Sequence, residues 1–321
     1  MLDLILKEYA AYYRKQFDED LSDYVHSKYG SFLASPHTII VVQQDESDFP
    51  IGIIHLGTVN DWGEIRLFYI RPTFFTKDLF TTVWLKIAAH FPQKVKKVVF
   101  QSRLFSVAPY TALETFDVPM SRYTRSEYRL DMQEYMAVEK SSPFEFTPVL
   151  PSDKKSLAFL SYLTFKNSLE YDIIPYYQNI DYAQALVKNI TNNTMGVFLS
   201  DISFIVKKEN VPVGLILSSK LKDNNVLLLV FGLFEALRGK GFGKQLLNDY
   251  LNMVAEKGYA GITLTVTEEN ASAVALYQQA GFKQGSRFPL YVHELQRRPQ
   301  QTTDKTIKAF EPRSIGKSRK E

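Results

Sequence analysis

The residues best suited to chemistry stand in one short run, Arg238-Gly239-Lys240-Gly241-Phe242-Gly243-Lys244. Its alternating glycines let the backbone come close to a ligand, so that several N–H groups can converge on one oxyanion. The run follows an apolar segment, Val226 to Phe231, and precedes an amphipathic stretch beginning at Lys244. A strand, a glycine turn and a helix start in that order place a helix N-terminus behind the turn, where its dipole favours negative charge. Arg238 and Lys240 add positive charge, and an arginine can hold phosphate oxygens bidentately. The predicted chemistry is the holding of a phosphorylated ligand.

Spacing narrows the ligand. A nucleoside-triphosphate loop needs G-x-x-x-x-G-K-[ST], and here Gln245 follows Lys244. A dinucleotide fingerprint needs G-x-G-x-x-G, and the third glycine position is occupied by Lys244. What remains is R-x-x-G-x-G, formed by Arg238, Gly241 and Gly243. A second run lies downstream, Asn270-Ala271-Ser272-Ala273-Val274-Ala275-Leu276-Tyr277, ending in Ala280-Gly281-Phe282.

With both runs in order, separated by a predicted helix and strand, the sequence resembles the GNAT acyltransferase superfamily. The resemblance implies an acetyl-CoA co-substrate and no metal. The coenzyme A pyrophosphate would rest on the amides of Gly239, Lys240, Gly241, Phe242, Gly243 and Lys244. Pantetheine would pair with splayed backbone from Phe231 to Leu233, where an N–H would also polarise the thioester carbonyl. Tyr277 would protonate the leaving sulfur, since a phenol is protonated at neutral pH. Asn270 would contact the cofactor or cap its own helix. An acyl-CoA-dependent N-acyltransferase, most simply an N-acetyltransferase acting directly on an amine, is the implied activity. A domain that binds acyl-CoA without turnover is the alternative. One departure stands out. Many relatives carry a glutamate on the strand before the turn, whereas Val226 to Phe231 is wholly apolar. Glu235, Glu268 and Asp172 are the replacement bases that spacing offers.

The elements that must position these groups can be read from the pattern. Ser152 is placed to cap a helix carrying Leu157, Leu160 and Leu163. An aromatic segment with Tyr171, Tyr176 and Tyr177 follows, suited to lining an acceptor pocket or to packing between domains. A helix over Asp181–Ile190 comes next. Strands over Ser203–Lys207 and Val213–Ser219 turn at Glu209-Asn210. The helix after the glycine turn buries Leu246, Leu247, Tyr250, Leu251 and Val254 and stops at Gly258. Strands over Ile262–Val266 and Leu290–Val292 flank the helix from Asn270. The class is mixed α/β with a mostly antiparallel, partly splayed sheet.

The chain also repeats itself. Pro50-Ile51-Gly52-Ile53-Ile54 falls on Pro212-Val213-Gly214-Leu215-Ile216, Ile65–Tyr69 on Leu227–Phe231, Phe80 on Phe242 and Leu85 on Leu247. Opposite Arg238–Gly243 stands Thr76-Lys77-Asp78-Leu79-Phe80-Thr81, without glycine and with an acid. The expectation is a degenerate GNAT-like domain at 1–140, an acyl-CoA-binding catalytic domain at 141–295 with Ser141-Ser142-Pro143 at the junction, and a tail at 296–321. That tail carries eight Lys/Arg and three Asp/Glu, so the net charge of +3 hides +5 there and −2 elsewhere. It reads as a solubilising extension, and is the one stretch charged for nucleic acid or an anionic surface.

The composition sets outer bounds. No cysteine is present, which removes disulfides, thiolate metal sites and a cysteine acyl-enzyme. The five histidines show no metal spacing. The longest apolar run, Val226 to Phe234, is far short of the roughly 20 residues of a membrane span. These features predict a cytoplasmic protein without membrane contact, acting on an amine-bearing acceptor.

Overall fold

The computed structural model describes residues 2–17, 38–42, 49–59, 61–101, 120–139, 142–221 and 224–295. The basic tail and Ser141 of the expected junction lie outside the described residues. The fold is mixed α/β and divides into two compact units. One takes residues up to Arg122 together with those from Leu290 onward, the other Tyr123–Pro289. The sequence expectation placed the divide between its two folded domains at 140/141. The fold instead makes two cuts, and strand pairing is the reason. Strand β5 (Ser121–Asp131) pairs antiparallel with β11 (Gly261–Thr267), from Arg125 opposite Thr267 to Asp131 opposite Gly261. The end of β12 (Lys283–Glu294) pairs with β4 (Lys97–Gln101) over Leu290–Glu294. Pairings between segments this distant in sequence leave no local signature.

In the first unit, β1 (Thr38–Val42), β2 (Pro50–Val59) and β3 (Trp62–Ile70) form an antiparallel meander. Strand β3 runs parallel to β4 for four residues only, Trp62–Ile65 beside Lys97–Phe100. Helix α1 (Leu2–Phe17) packs Ile5, Leu6 and Tyr9 against Ile53, Leu67 and Tyr69. Helix α2 (Lys77–His90) packs Phe80, Val83, Trp84 and Ile87 into a second core with Ile54, Phe68 and Phe100. Covered on both faces, β2 is buried along nearly its whole length, so its sequence lacks an apolar–polar alternation and its one titratable residue, His55, is buried as well.

In the second unit, β8 (Phe204–Lys208) and β9 (Val211–Lys220) form a hairpin whose turn residues Glu209 and Asn210 both take positive φ. Strand β6 (Glu145–Pro148) extends it outside β8, and β7 (Val197–Phe198) pairs with β9. Strand β10 (Asn225–Leu233) is antiparallel to β9 and parallel to β11, again over four residues, Asn225–Leu228 beside Gly261–Leu264. A bulge between Leu228 and Val230 re-aims the rest of the strand. Val226 and Leu228 face the core under α6 (Phe242–Glu256) and α7 (Ala271–Gln279). Val230 faces the opposite core, under α3 (Lys154–Phe165) and α5 (Ile180–Thr191). Helix α4 (Leu169–Ile173) and a single 3-10 turn, Pro175–Tyr177, occupy the predicted aromatic segment. Tyr176 and Tyr177 pack on this unit's own core, and Tyr177 stacks on Phe165 at 3.7 Å between centroids. Asp153 rather than Ser152 stands at the N-cap of α3 and makes no side-chain cap. No described helix is long and apolar enough to cross a membrane.

The two units repeat a meander followed by a briefly parallel strand, as the sequence suggested, but not in the ungapped register. Leu85 is 64 % exposed whereas Leu247 is fully buried, so that match fails. Both helices bury a stripe at the same i, i+3, i+4, i+7 spacing, Phe80, Val83, Trp84, Ile87 in α2 and Leu247, Tyr250, Leu251, Val254 in α6. The strand-to-helix connection is also longer in the second unit, residues 234–241 against 71–76.

Candidate functional site

Where β10 leaves β11, the second unit opens a cleft of about 650 Å³. Its walls are the end of β10, the turn after it, the start of α6, the start of α7 and the segment joining α3 to α4. Phe231 and Leu233 line it from the splayed strand. Gly232 beside them allows a close approach, since a Cβ there would lie 3.0 Å from the Thr164 methyl.

The turn itself is built by glycine geometry. A 3-10 turn, Glu235–Leu237, leads into Gly239 and Gly241, whose φ values are 73° and 79°. A Cβ built on either meets nothing within 4 Å, so it is the left-handed backbone and not crowding that calls for glycine. Gly241 is the N-cap of α6 and has no side chain to cap it. The first-turn N–H groups of a 15-residue helix are thus left without a side-chain acceptor, and Gly239, Gly241, Gly243 and Lys244 all line the cleft. This open cradle of amides fits a pyrophosphate-bearing co-substrate.

The flanking residues divide between the cleft and the frame. The Arg238 guanidinium donates to three backbone carbonyls, those of Leu233 at 3.1 Å, Lys166 at 3.1 Å and Thr164 at 2.6 Å. It therefore braces strand end, turn and the end of α3 against each other, where the sequence suggested a bidentate phosphate ligand. Burial pushes its pKa down, offset by the charges of Glu235 and Glu170. Lys240 donates to the Ala236 carbonyl at 2.9 Å and is not among the cleft-lining residues. The ring of Phe242 packs edge-on against Phe144 and under the Lys208 ammonium, also outside the lining.

Asn270 caps α7 by accepting from the Ala273 N–H at 3.2 Å, and its Nδ2 donates to both oxygens of Glu170 at 3.1 Å. Tyr277, one turn from the end of α7, lies between Phe231 and Phe282, 8 % exposed. Its hydroxyl makes no hydrogen bond among the described residues. Burial first, and then the charge of Glu170 and the proximity of Tyr177, push this phenol well above its ordinary range; Arg125 opposes them. The phenol is therefore held protonated at neutral pH. Tyr177 is pushed up to about 12, again mainly by burial.

The three carboxylates that spacing offered as bases do not line the cleft. Glu235 accepts from Asn167 Nδ2 at 2.8 Å, and Asp172 is exposed on α4. Glu268 is paired with Arg287 and accepts from Ser126 and Gln284, and the Arg287 contact leads in holding its carboxyl below the usual range. Sequence reasoning missed Glu170, which does line the cleft beside Asn270 and is 7 % exposed. An acid inside an aromatic segment carried no spacing signal. Among the described residues no group of three histidines or acids could hold a metal ion.

Comparison with known proteins agrees with this geometry. Residues 197–282 match the model of the acetyltransferase (GNAT) family, and the chain carries a GNAT domain there. The structure is similar to a GCN5-related N-acetyltransferase from Sphaerobacter thermophilus, with a TM-score of 0.60 and 13% identity over 88% of this chain and 90% of that one. It is also similar to a GCN5-related glucosamine N-acetyltransferase region of a fungal multi-domain GH3 β-N-acetylglucosaminidase (TM-score 0.64, 13% identity, 91% of this chain and 37% of that one). A tandem GNAT protein from the clavulanic acid biosynthesis pathway aligns over 92% of this chain and 97% of its own, at TM-score 0.52 and 12% identity. A tandem arrangement of GNAT folds is consistent with that likeness. No curated protein matches the sequence.

Proposed function

We propose that the second unit is an N-acyltransferase that moves an acyl group, most simply acetyl, from a coenzyme A thioester directly to an amine. The observation that carries this reading is the side-chain-free N-terminus of α6, opening with its two left-handed glycines onto the same cleft as the Tyr277 phenol. Amides of Gly239, Gly241 and Gly243 would hold the pyrophosphate, with the Lys244 charge beside them, its own N–H donating to the Gly241 carbonyl at 3.2 Å, and Arg238 fixing the turn that presents them. Phe231 and Leu233 would offer backbone to the pantetheine, and an N–H there would polarise the thioester carbonyl. Asn270 would shape the adjoining wall through its cap and its bond to Glu170. Tyr277 would donate its proton to the departing thiolate, a role suited to a buried phenol kept neutral. The co-substrate supplies the activated acyl group, and the protein supplies orientation and proton transfer. The first unit, as a degenerate copy, would not hold the co-substrate in the same way, and would complete the acceptor cleft or stabilise the fold.

The test is thiol release from acetyl-CoA by the full chain across lysine, spermidine, kanamycin and a peptide with a free N-terminus. Turnover with one of these is the expected result. Tight acetyl-CoA binding with no turnover on any amine would favour a non-catalytic acyl-CoA-binding protein instead.

A further inference from the structure

The proposed reaction needs an acceptor for the amine proton, and β10 is apolar from Val226 to Phe231 where a carboxylate would be convenient. Glu170 approaches the cleft from another element. It lies on α4, which is fixed by its Ser168 cap (Tyr171 N–H to Ser168 Oγ, 3.3 Å) and by the buried Ile173. Glu170 as a residue is 7 % exposed, and among the described residues none of the ion pairs reaches it. One amide hydrogen bond, from Asn270 Nδ2, reaches both oxygens and leaves most of their lone pairs unused. Burying a carboxylate with so little compensation is unfavourable, and its unused lone pairs can accept from a group bound in the cleft.

We propose that Glu170 is the catalytic residue that takes the proton from the incoming amine. This inference rests on the acyl-transfer reading above. The ammonium gives one proton to the Glu170 carboxylate, which passes it to solvent. The freed nitrogen lone pair then forms the C–N bond at the thioester carbonyl. As the C–S bond breaks, the electron pair leaves with sulfur, which takes the Tyr277 proton. The second amine proton goes to Glu170 and returns through solvent to Tyr277. The net products are amide, thiol and one released proton. Four groups face Glu170 electrostatically: Tyr277 on α7, Tyr177 on the 3-10 turn, Arg125 on β5 and Arg238 on the turn. Glu269 also lines the cleft, but both its oxygens accept from the Thr124 N–H.

The experiment compares the full chain with Glu170→Gln, Glu170→Asp and, as a control on the same helix, the exposed Asp172→Asn. The assay is thiol release from acetyl-CoA, using the best amine of the four named above, across pH 5.5–9.5. For Glu170→Gln, kcat should fall about 100-fold or more with acetyl-CoA affinity within twofold of wild type. Glu170→Asp should restore part of the rate, and Asp172→Asn should match wild type. An active wild type whose Glu170→Gln variant keeps kcat within threefold overturns this inference alone. Parallel loss of acetyl-CoA affinity and rate in both Glu170 variants overturns it in favour of a structural role. A wild type that turns over no amine overturns both readings.

Discussion

The two strand-to-helix connections, residues 71–76 and 234–241, solve one problem with opposite outcomes. Each contains a single 3-10 turn, Pro72–Phe74 or Glu235–Leu237, and each enters a long helix. Each is also braced by an arginine. Arg71 pairs bidentately with Glu8 at 2.7 and 3.0 Å and donates to the Pro50 carbonyl, while Arg238 binds three carbonyls. The difference lies at the cap. In the first unit the Thr76 hydroxyl accepts from the Leu79 N–H at 3.2 Å, and Asp78 adds negative charge in the first turn. In the second, Gly241 gives the helix no side-chain cap and the chain is glycine on either side of Lys240 and again at 243. A helix whose first-turn donors are taken by its own side chain offers less to an anion than one left open. The same frame can therefore carry a cradle or lack one, and a few residues decide which.

Replacing Gly241 with Asp should do the most damage to this contrast. It strains a backbone at φ 79° and sets a carboxylate in the cradle, so acetyl-CoA affinity by calorimetry should fall more than 100-fold. Unchanged affinity would remove the turn from the binding site. Tyr277→Phe keeps the ring between Phe231 and Phe282 and removes only the hydroxyl. We expect kcat to drop by about 10- to 100-fold with acetyl-CoA affinity held within twofold. A rate equal to wild type would take the phenol out of the reaction. Arg238→Lys separates bracing from charge. A lysine keeps the charge but cannot span three carbonyls, so the folded state should lose about 1–2 kcal/mol in denaturant titrations. Full stability with weakened acetyl-CoA binding would show that the guanidinium serves the ligand instead. The smallest effect belongs to the first unit, where Thr76→Ala should cost about 1 kcal/mol of stability. Acetyl-CoA binding should be unmoved by it, and a change there would place Thr76 in the binding machinery.

Part of the site was legible because it rests on local rules. Gly239 and Gly241 announce left-handed backbone, the following apolar spacing announces a helix, and Asn270 announces a cap. The hairpin at Glu209-Asn210 and the helix stop at Gly258 were readable for the same reason. The bracing by Arg238, which also lines the cleft, was not legible, because its type shows charge and reach but not which acceptors the fold sets around it. The Leu85 match failed because it sets an exposed position of α2 against a buried one of α6, and an ungapped comparison cannot register a change in connection length ahead of the helix.

The sequence by itself determined the mixed α/β class, the glycine cradle at the head of α6 and the helix that carries Tyr277, since each follows from backbone preferences and periodicities within a few residues. Only the tertiary structure decided that β5 belongs beside β11 and Leu290–Glu294 beside β4, and that Glu170 stands against Asn270 a hundred residues away. Those are long-range pairings. Their free energy comes from burial and from hydrogen bonds that exist only once distant segments meet, so no short stretch of chain records them.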